Sequence, residues 1–101
     1  MTPKNTLPAK AQKQLEKLRM MVDRADLELL MALYKRGNAV AKVGELKLEY
    51  NLPLAQPRRW KEVVRSRVNL GKELKINEKF LRSILGLIHD ESLRIQKRGM
   101  K

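Results

Sequence analysis

Apolar residues recur along the first half of the chain at alternating intervals of three and four: Leu15, Leu18, Val22, Ala25, Leu29 and Ala32, then, beyond Arg36, Ala39, Val43 and Leu46. That spacing keeps one stripe on one side of an α-helix, and it holds for about thirty residues. It predicts a single long helix from about Lys10 to near Tyr50. Asn51 and Pro53 break the pattern, and Leu52-Pro53-Leu54-Ala55-Gln56 reads as a short extended connection, because a residue before proline is pushed out of the α region. Pro57 suits a first helical position, and Trp60, Val63, Val64, Arg67 and Val68 continue one face of a second, shorter helix until Gly71 permits a stop. Asn77 is the expected N-cap of a third helix, with Glu78 in its first turn and Phe80, Leu81, Ile84, Ile88 and Ile95 on a face running towards Gly99. Residues 1–12, with Pro3 and Pro8 and no apolar period, read as a flexible tail, leaving 13–101 as the folded domain. The expected fold class is all-α: long helix, short helix, long helix.

A first helix of about 40 residues would be about 60 Å long, roughly twice the width of a small domain. The two shorter helices cannot cover a stripe of that length. A second copy of the chain can, which points to an intertwined homodimer. The competing arrangement is a kink near Gly37 that folds the helix back into a monomeric bundle.

Composition narrows the chemistry. A chain of 101 residues makes one domain. It has no cysteine and one histidine, which leaves little for a disulfide framework, a zinc site or a Ser-His-Asp site. No apolar run approaches the roughly 20 residues of a membrane span, and MTPKNTLPAK lacks the apolar stretch of a signal peptide, so the expectation is a cytoplasmic chain without membrane contact. Twenty-three Lys and Arg against eleven Asp and Glu give a net charge of +12, which calls for an anionic partner. Lys4, Lys10 and Lys13 at one end and Lys97, Arg98 and Lys101 at the other supply half of that excess. The remainder is mixed with acids and lacks the dense basic block with interleaved aromatics of a nucleic-acid surface. A small anionic ligand fits this balance better than nucleic acid.

Two cations sit on the long helix where they share a face. Lys47 lies eleven positions, or 1100°, beyond Arg36, so the two project within about 20° of each other, with a rise of about 16 Å. Two extended side chains leaning together could grip opposite ends of one small anion. The alternative is that each snorkels out of a seam or pairs with an acid. Arg19 stands about 25 Å further back along the helix, so it reaches the same ligand only from another subunit. On the third helix, Ser92 and Gln96 form an i, i+4 pair that can offer neutral hydrogen bonds. Arg59, near the positive N-terminus of the second helix, favours an anion there, or is a surface residue.

Between Leu18 and Gln96, 79 of the 101 residues, the chain resembles the all-helical chorismate mutases. The resemblance is carried by LRMMVDRADLELLMALYKR, VGELK, LPLAQPRRW and IHDESLRIQ, in matching order and spacing. The QPRRW and IHDES segments are most similar to the mutase domain fused to DAHP synthase in some bacteria. The resemblance implies an intertwined three-helix homodimer that rearranges chorismate to prephenate, a unimolecular pericyclic step that needs no cofactor and no metal. It also implies residue roles. Arg36 and the partner subunit's Arg19 would hold the substrate carboxylates, with Arg59 at the same anionic region. Lys47 and Gln96 would donate to the ether oxygen whose bond breaks, and Ser92 would line the pocket. Such a site holds a dianion in a compact conformer and meets the charge growing on that oxygen with fixed donors. Gln56 and Trp60 depart from the family pattern, standing where many members have acids that bind the ring hydroxyl. Gln56 can still accept a hydrogen bond, whereas Trp60 donates only through its indole nitrogen or serves as a packing anchor. Glu91 is expected as an acceptor or salt-bridge partner, and His89 as a structural or surface residue. The competing functions are isochorismate pyruvate lyase on the same scaffold, a non-catalytic module docking on a DAHP synthase, and a basic helical nucleic-acid binder.

Overall fold

The computed structural model describes residues 7–98, and among these it contains three α-helices and no strand: α1, Ala9–Glu49, α2, Pro57–Glu73, and α3, Glu78–Lys97. The long, short, long order expected from the apolar spacing is present. Helix α1 starts at Ala9, so Ala9 to Gln12, expected as tail, are helical. The tail's first six residues and Gly99 lie outside the described residues. No helix among the described residues is long and apolar enough to cross a membrane. The described chain divides into two units, one up to Lys35 and one from Arg36 onward.

In the first unit none of the described residues is buried. Leu18, Val22 and Leu29 of the predicted stripe are more than half exposed, as are Met20, Met21, Leu27, Leu30 and Met31. The periodicity correctly marked a helix, but nothing within this unit covers its apolar side.

The second unit holds the end of α1 with α2 and α3. Its apolar core is small: Val63 and Val68 from α2 and Leu85 from α3. Burying a side chain of this size is worth about 1.5–3 kcal/mol, so this core is a modest anchor. Helix α1 enters it through Gly44 and Lys47, its two buried residues, while Val43 and Leu46 of the predicted stripe remain exposed. The inward line here is Gly37, Val40, Ala41, Gly44 and Lys47, rotated from the line expected.

The helix ends show how the turns are made. At the end of α1, Asn51 adopts a left-handed φ of 53°, Leu52 N donates to Lys47 O at 2.8 Å and Asn51 N donates to Leu48 O at 3.3 Å. This paired closure satisfies carbonyls that the helix leaves open, and asparagine tolerates the left-handed conformation better than most residues. Helix α2 ends in the same way at Lys75, with φ 59°, where Ile76 N donates to Gly71 O at 2.9 Å. Gly71 is therefore not the stop expected from the sequence. It is buried inside α2, and a β-carbon there would collide with the Leu81 side chain, so glycine permits the close approach of α3. Asn77 caps α3 as expected, accepting from Phe80 N at 2.8 Å, with Glu78 in the first turn. Of the expected inward face, Leu81, Ile84, Ile88 and Ile95 are half-buried while Phe80 is exposed; the buried residues of α3 are Leu85, Ser92 and Gln96.

Candidate active site

The second unit encloses a cavity of about 220 Å³, below the roughly 300–1,000 Å³ of pockets for drug-sized ligands and so suited to a small one. Each element of the unit contributes. Helix α1 gives Arg36, Val40, Val43 and Lys47, and the connection gives Leu54 and Gln56. Helix α2 adds Arg59, Trp60, Val63 and Arg67, and α3 adds His89, Ser92, Leu93 and Gln96. Four of these side chains are cationic and none is a carboxylate.

Its floor is a buried polar pair. Lys47 is 7% and Gln96 8% exposed, and Lys47 Nζ donates to Gln96 Oε1 at 2.6 Å and to Leu54 O at 2.7 Å. The left-handed turn at Asn51 is what brings the Leu54 carbonyl back over the last turn of α1. Gly44 brings α3 in: a β-carbon at this position would lie 2.9 Å from Gln96 Cα, closer than real β-carbons come. Gln96 Nε2 donates to Ser92 O at 3.1 Å. An ammonium has three donors and an amide nitrogen two, so each keeps one N–H beyond these bonds. Burial lowers the proton affinity of Lys47 below the ordinary lysine value of 10.5.

Arg36 is held from α3. Its guanidinium donates to Ser92 Oγ, and that hydroxyl donates to Ile88 O at 2.8 Å. Ser92, 6% exposed, is thus committed to fixing Arg36. Burial first, then the charges of Arg67 and Arg59, lower the proton affinity of Arg36. The charges of Arg67 and Arg59 both oppose that of Arg36, with no carboxylate among the lining residues to offset them. An anion entering the cavity relieves that repulsion. Also lining the cavity, the Trp60 and His89 rings stack, with centroids 4.0 Å apart and planes 17° from parallel.

A comparison with protein-family models matches residues 18–97 to chorismate mutase type II. The chain belongs to this family. It is 32% identical over 94 residues to a 4-amino-4-deoxychorismate mutase of Streptomyces pristinaespiralis, covering 93% of this chain and 73% of that protein. It is 36% identical over 61 residues to a bifunctional chorismate mutase/prephenate dehydratase of Aquifex aeolicus, covering 60% of this chain but 17% of that protein. A protein of the same name from Buchnera aphidicola is 26% identical over 79% of this chain and 21% of its own length. The chain thus spans about a fifth of the bifunctional relatives it matches. These two-activity relatives are named for a mutase with a dehydratase, and the comparisons do not show the similarity to a DAHP synthase-fused mutase domain expected from the QPRRW and IHDES segments.

Seven of the eight residues singled out as site candidates line this cavity: Arg36, Lys47, Gln56, Arg59, Trp60, Ser92 and Gln96. The eighth, Arg19, lies exposed on α1 in the first unit and is not among the lining residues. Gln56 sits at the N-cap of α2 without a capping bond from its side chain. Three contributors had gone unassigned. His89 is in the wall and not merely on the surface, and its spacing to Ser92 and Gln96, i+3 and i+7, was the signal. Arg67 continues the Gln56, Arg59, Trp60, Val63 face of α2, and Gly44 sets the helix approach. Glu91 pairs with Arg94 at 2.6 Å on the exposed side of α3.

Proposed function

We propose that this protein rearranges chorismate to prephenate, a step of aromatic amino acid biosynthesis, as a homodimer in which each site takes Arg19 from the partner chain. The observation that carries this reading is the buried Lys47–Gln96 pair at the floor of a small pocket with four cations and no carboxylate. In this rearrangement one carbon–oxygen bond breaks as a carbon–carbon bond forms, and no proton, metal or covalent intermediate is required. Arginines hold the two carboxylates and so select a compact conformer. The remaining N–H groups of Lys47 and Gln96 are suited to meet the ether oxygen as negative charge grows on it, and they are already fixed by their other bonds. Arg19 lies in the first unit and is not among the residues that line the cavity of the second. A second copy wound against the uncovered stripe of the first unit would bring an Arg19 to each pocket.

The test is turnover of chorismate by the pure protein, with isochorismate beside it: prephenate from chorismate supports the reading, and salicylate with pyruvate from isochorismate would replace it with the lyase. Mixing an Arg19→Ala chain with an Arg36→Ala chain should restore about one intact site per heterodimer. No rescue after demonstrated subunit exchange would remove the trans arrangement.

The similarity to the Streptomyces enzyme favours a second substrate, 4-amino-4-deoxychorismate. An amino group there would be cationic, and the lining residues offer it no carboxylate, only uncharged acceptors such as the Gln56 amide oxygen. A pocket so positive favours the neutral hydroxyl, so turnover should be faster with chorismate. Association with a DAHP synthase remains a partner proposal, tested by co-elution of the two proteins.

A further inference from the structure

Arg67, the one of the four lining cations without a residue role so far, occupies the cavity-facing line of α2 with Gln56, Arg59, Trp60 and Val63, at spacings of three, four and seven residues. No acid stands three or four positions to either side of Arg67 or Arg36 on their helices. Arg82 and Arg94, by contrast, each bond an acid on the preceding turn, Glu78 at 2.9 Å and Glu91 at 2.6 Å. The hydrogen bond Arg67 does make is to the hydroxyl of its neighbour Ser66 at 2.8 Å. Its remaining donors carry a charge felt at Arg36 more strongly than that of Arg59.

We infer that Arg67 is a further substrate-binding residue, which together with Arg36 and Arg59 receives a carboxylate of the ligand at the open side of the cavity. The inference deepens the chorismate reading and rests on it. A guanidinium whose charge bears on Arg36, in a cavity lined by no carboxylate, is unfavourable in the empty site and becomes favourable when a carboxylate enters. Arg67 therefore serves affinity at the expense of the stability of the ligand-free protein.

The experiment compares wild type, Arg67→Gln and Arg67→Lys in the full chain at low salt. Arg67→Gln should raise KM for chorismate about tenfold while kcat falls much less, and Arg67→Lys should recover part of the loss. Without ligand, Arg67→Gln should melt at the same temperature as wild type or higher, because a repulsive charge is gone. Malonate, a small dicarboxylate, should raise the melting temperature of wild type more than that of Arg67→Gln. An unchanged KM with identical malonate responses overturns the inference. So does a lower ligand-free melting temperature with kcat and KM damaged together, which would mark a structural arginine. If wild type does not turn over chorismate, the functional reading fails, and the malonate comparison still judges Arg67 as an anion ligand.

Discussion

Leu18, Val22 and Leu29 in the first unit and Val40, Gly44 and Lys47 in the second lie on the same helix, at spacings drawn from the same threes and fours. The first set is apolar and more or less open to solvent; the second includes a lysine that is 7% exposed. An apolar stripe records that a helix face is meant to be covered, and says nothing about what covers it. In the second unit the chain's own α3 does so, and because Gly44 removes a side chain, the contact is close enough to bury a lysine with its amide partner. In the first unit the cover is, in our reading, another copy. The contrast separates two kinds of residue. Those proposed to shape the chemistry sit among buried polar groups, and those proposed to build a dimer are exposed and apolar.

Lys47→Ala should make the sharpest break. Removing a fixed donor to a developing oxyanion costs about a hundred- to a thousandfold in kcat, and circular dichroism should show the helices intact. The charge itself can be tested with pH. Burial lowers the Lys47 proton affinity, so the ammonium is lost at a lower pH than the ordinary 10.5, and turnover should fall on the alkaline side through that lowered value. Stability has the opposite sign: between the folded-state value and 10.5 the unfolded chain holds the proton more tightly, so this group's contribution to stability rises with pH. A pH profile in which turnover and stability fell together would implicate some other group.

The double variant Val22→Glu, Leu29→Glu tests the other side of the contrast. Both positions are exposed within the described chain, so folding of the second unit should be little affected. The dimer should dissociate to monomers in sedimentation velocity, and activity should disappear with it if Arg19 acts from the partner. A dimer that survives both charges would place the interface elsewhere.

Gly44→Ala should cost less. The added methyl meets the Gln96 backbone at 2.9 Å, so α1 and α3 must separate, at a cost of about 1–3 kcal/mol in thermal or urea unfolding. Because the Lys47–Gln96 bond depends on that approach, kcat should drop by more than the lost stability alone would explain. The smallest effect belongs to Trp60→Phe. An aromatic ring can still stack on His89, so kcat/KM should fall less than about threefold. A larger loss at unchanged melting temperature would show that the indole N–H touches substrate.

The sequence alone determined the three helices, because local rules act at short range: the three-and-four spacing, Asn51 before Pro53, Pro57 at a first helical position and Asn77 as a cap each report on a few neighbouring residues. It also named eight site candidates through the blocks that carry the family resemblance, seven of which the fold gathers at the cavity, whereas helical geometry alone said only that Arg36 and Lys47 share a face. Tertiary structure decided what depends on contacts between distant segments. Gly71 looked like a stop because a glycine can end a helix, yet here its missing β-carbon makes room for Leu81. Phe80 and Leu46 looked inward because they are apolar, but both are exposed, while Leu85, Ser92 and Gln96 are buried. Lys47 and Gln96 are far apart in the chain, and their bond could not be read from either helix by itself. Arg67 became part of the cavity only when α2 faced Arg36, for the energy of a charge depends on which other charges the fold places beside it.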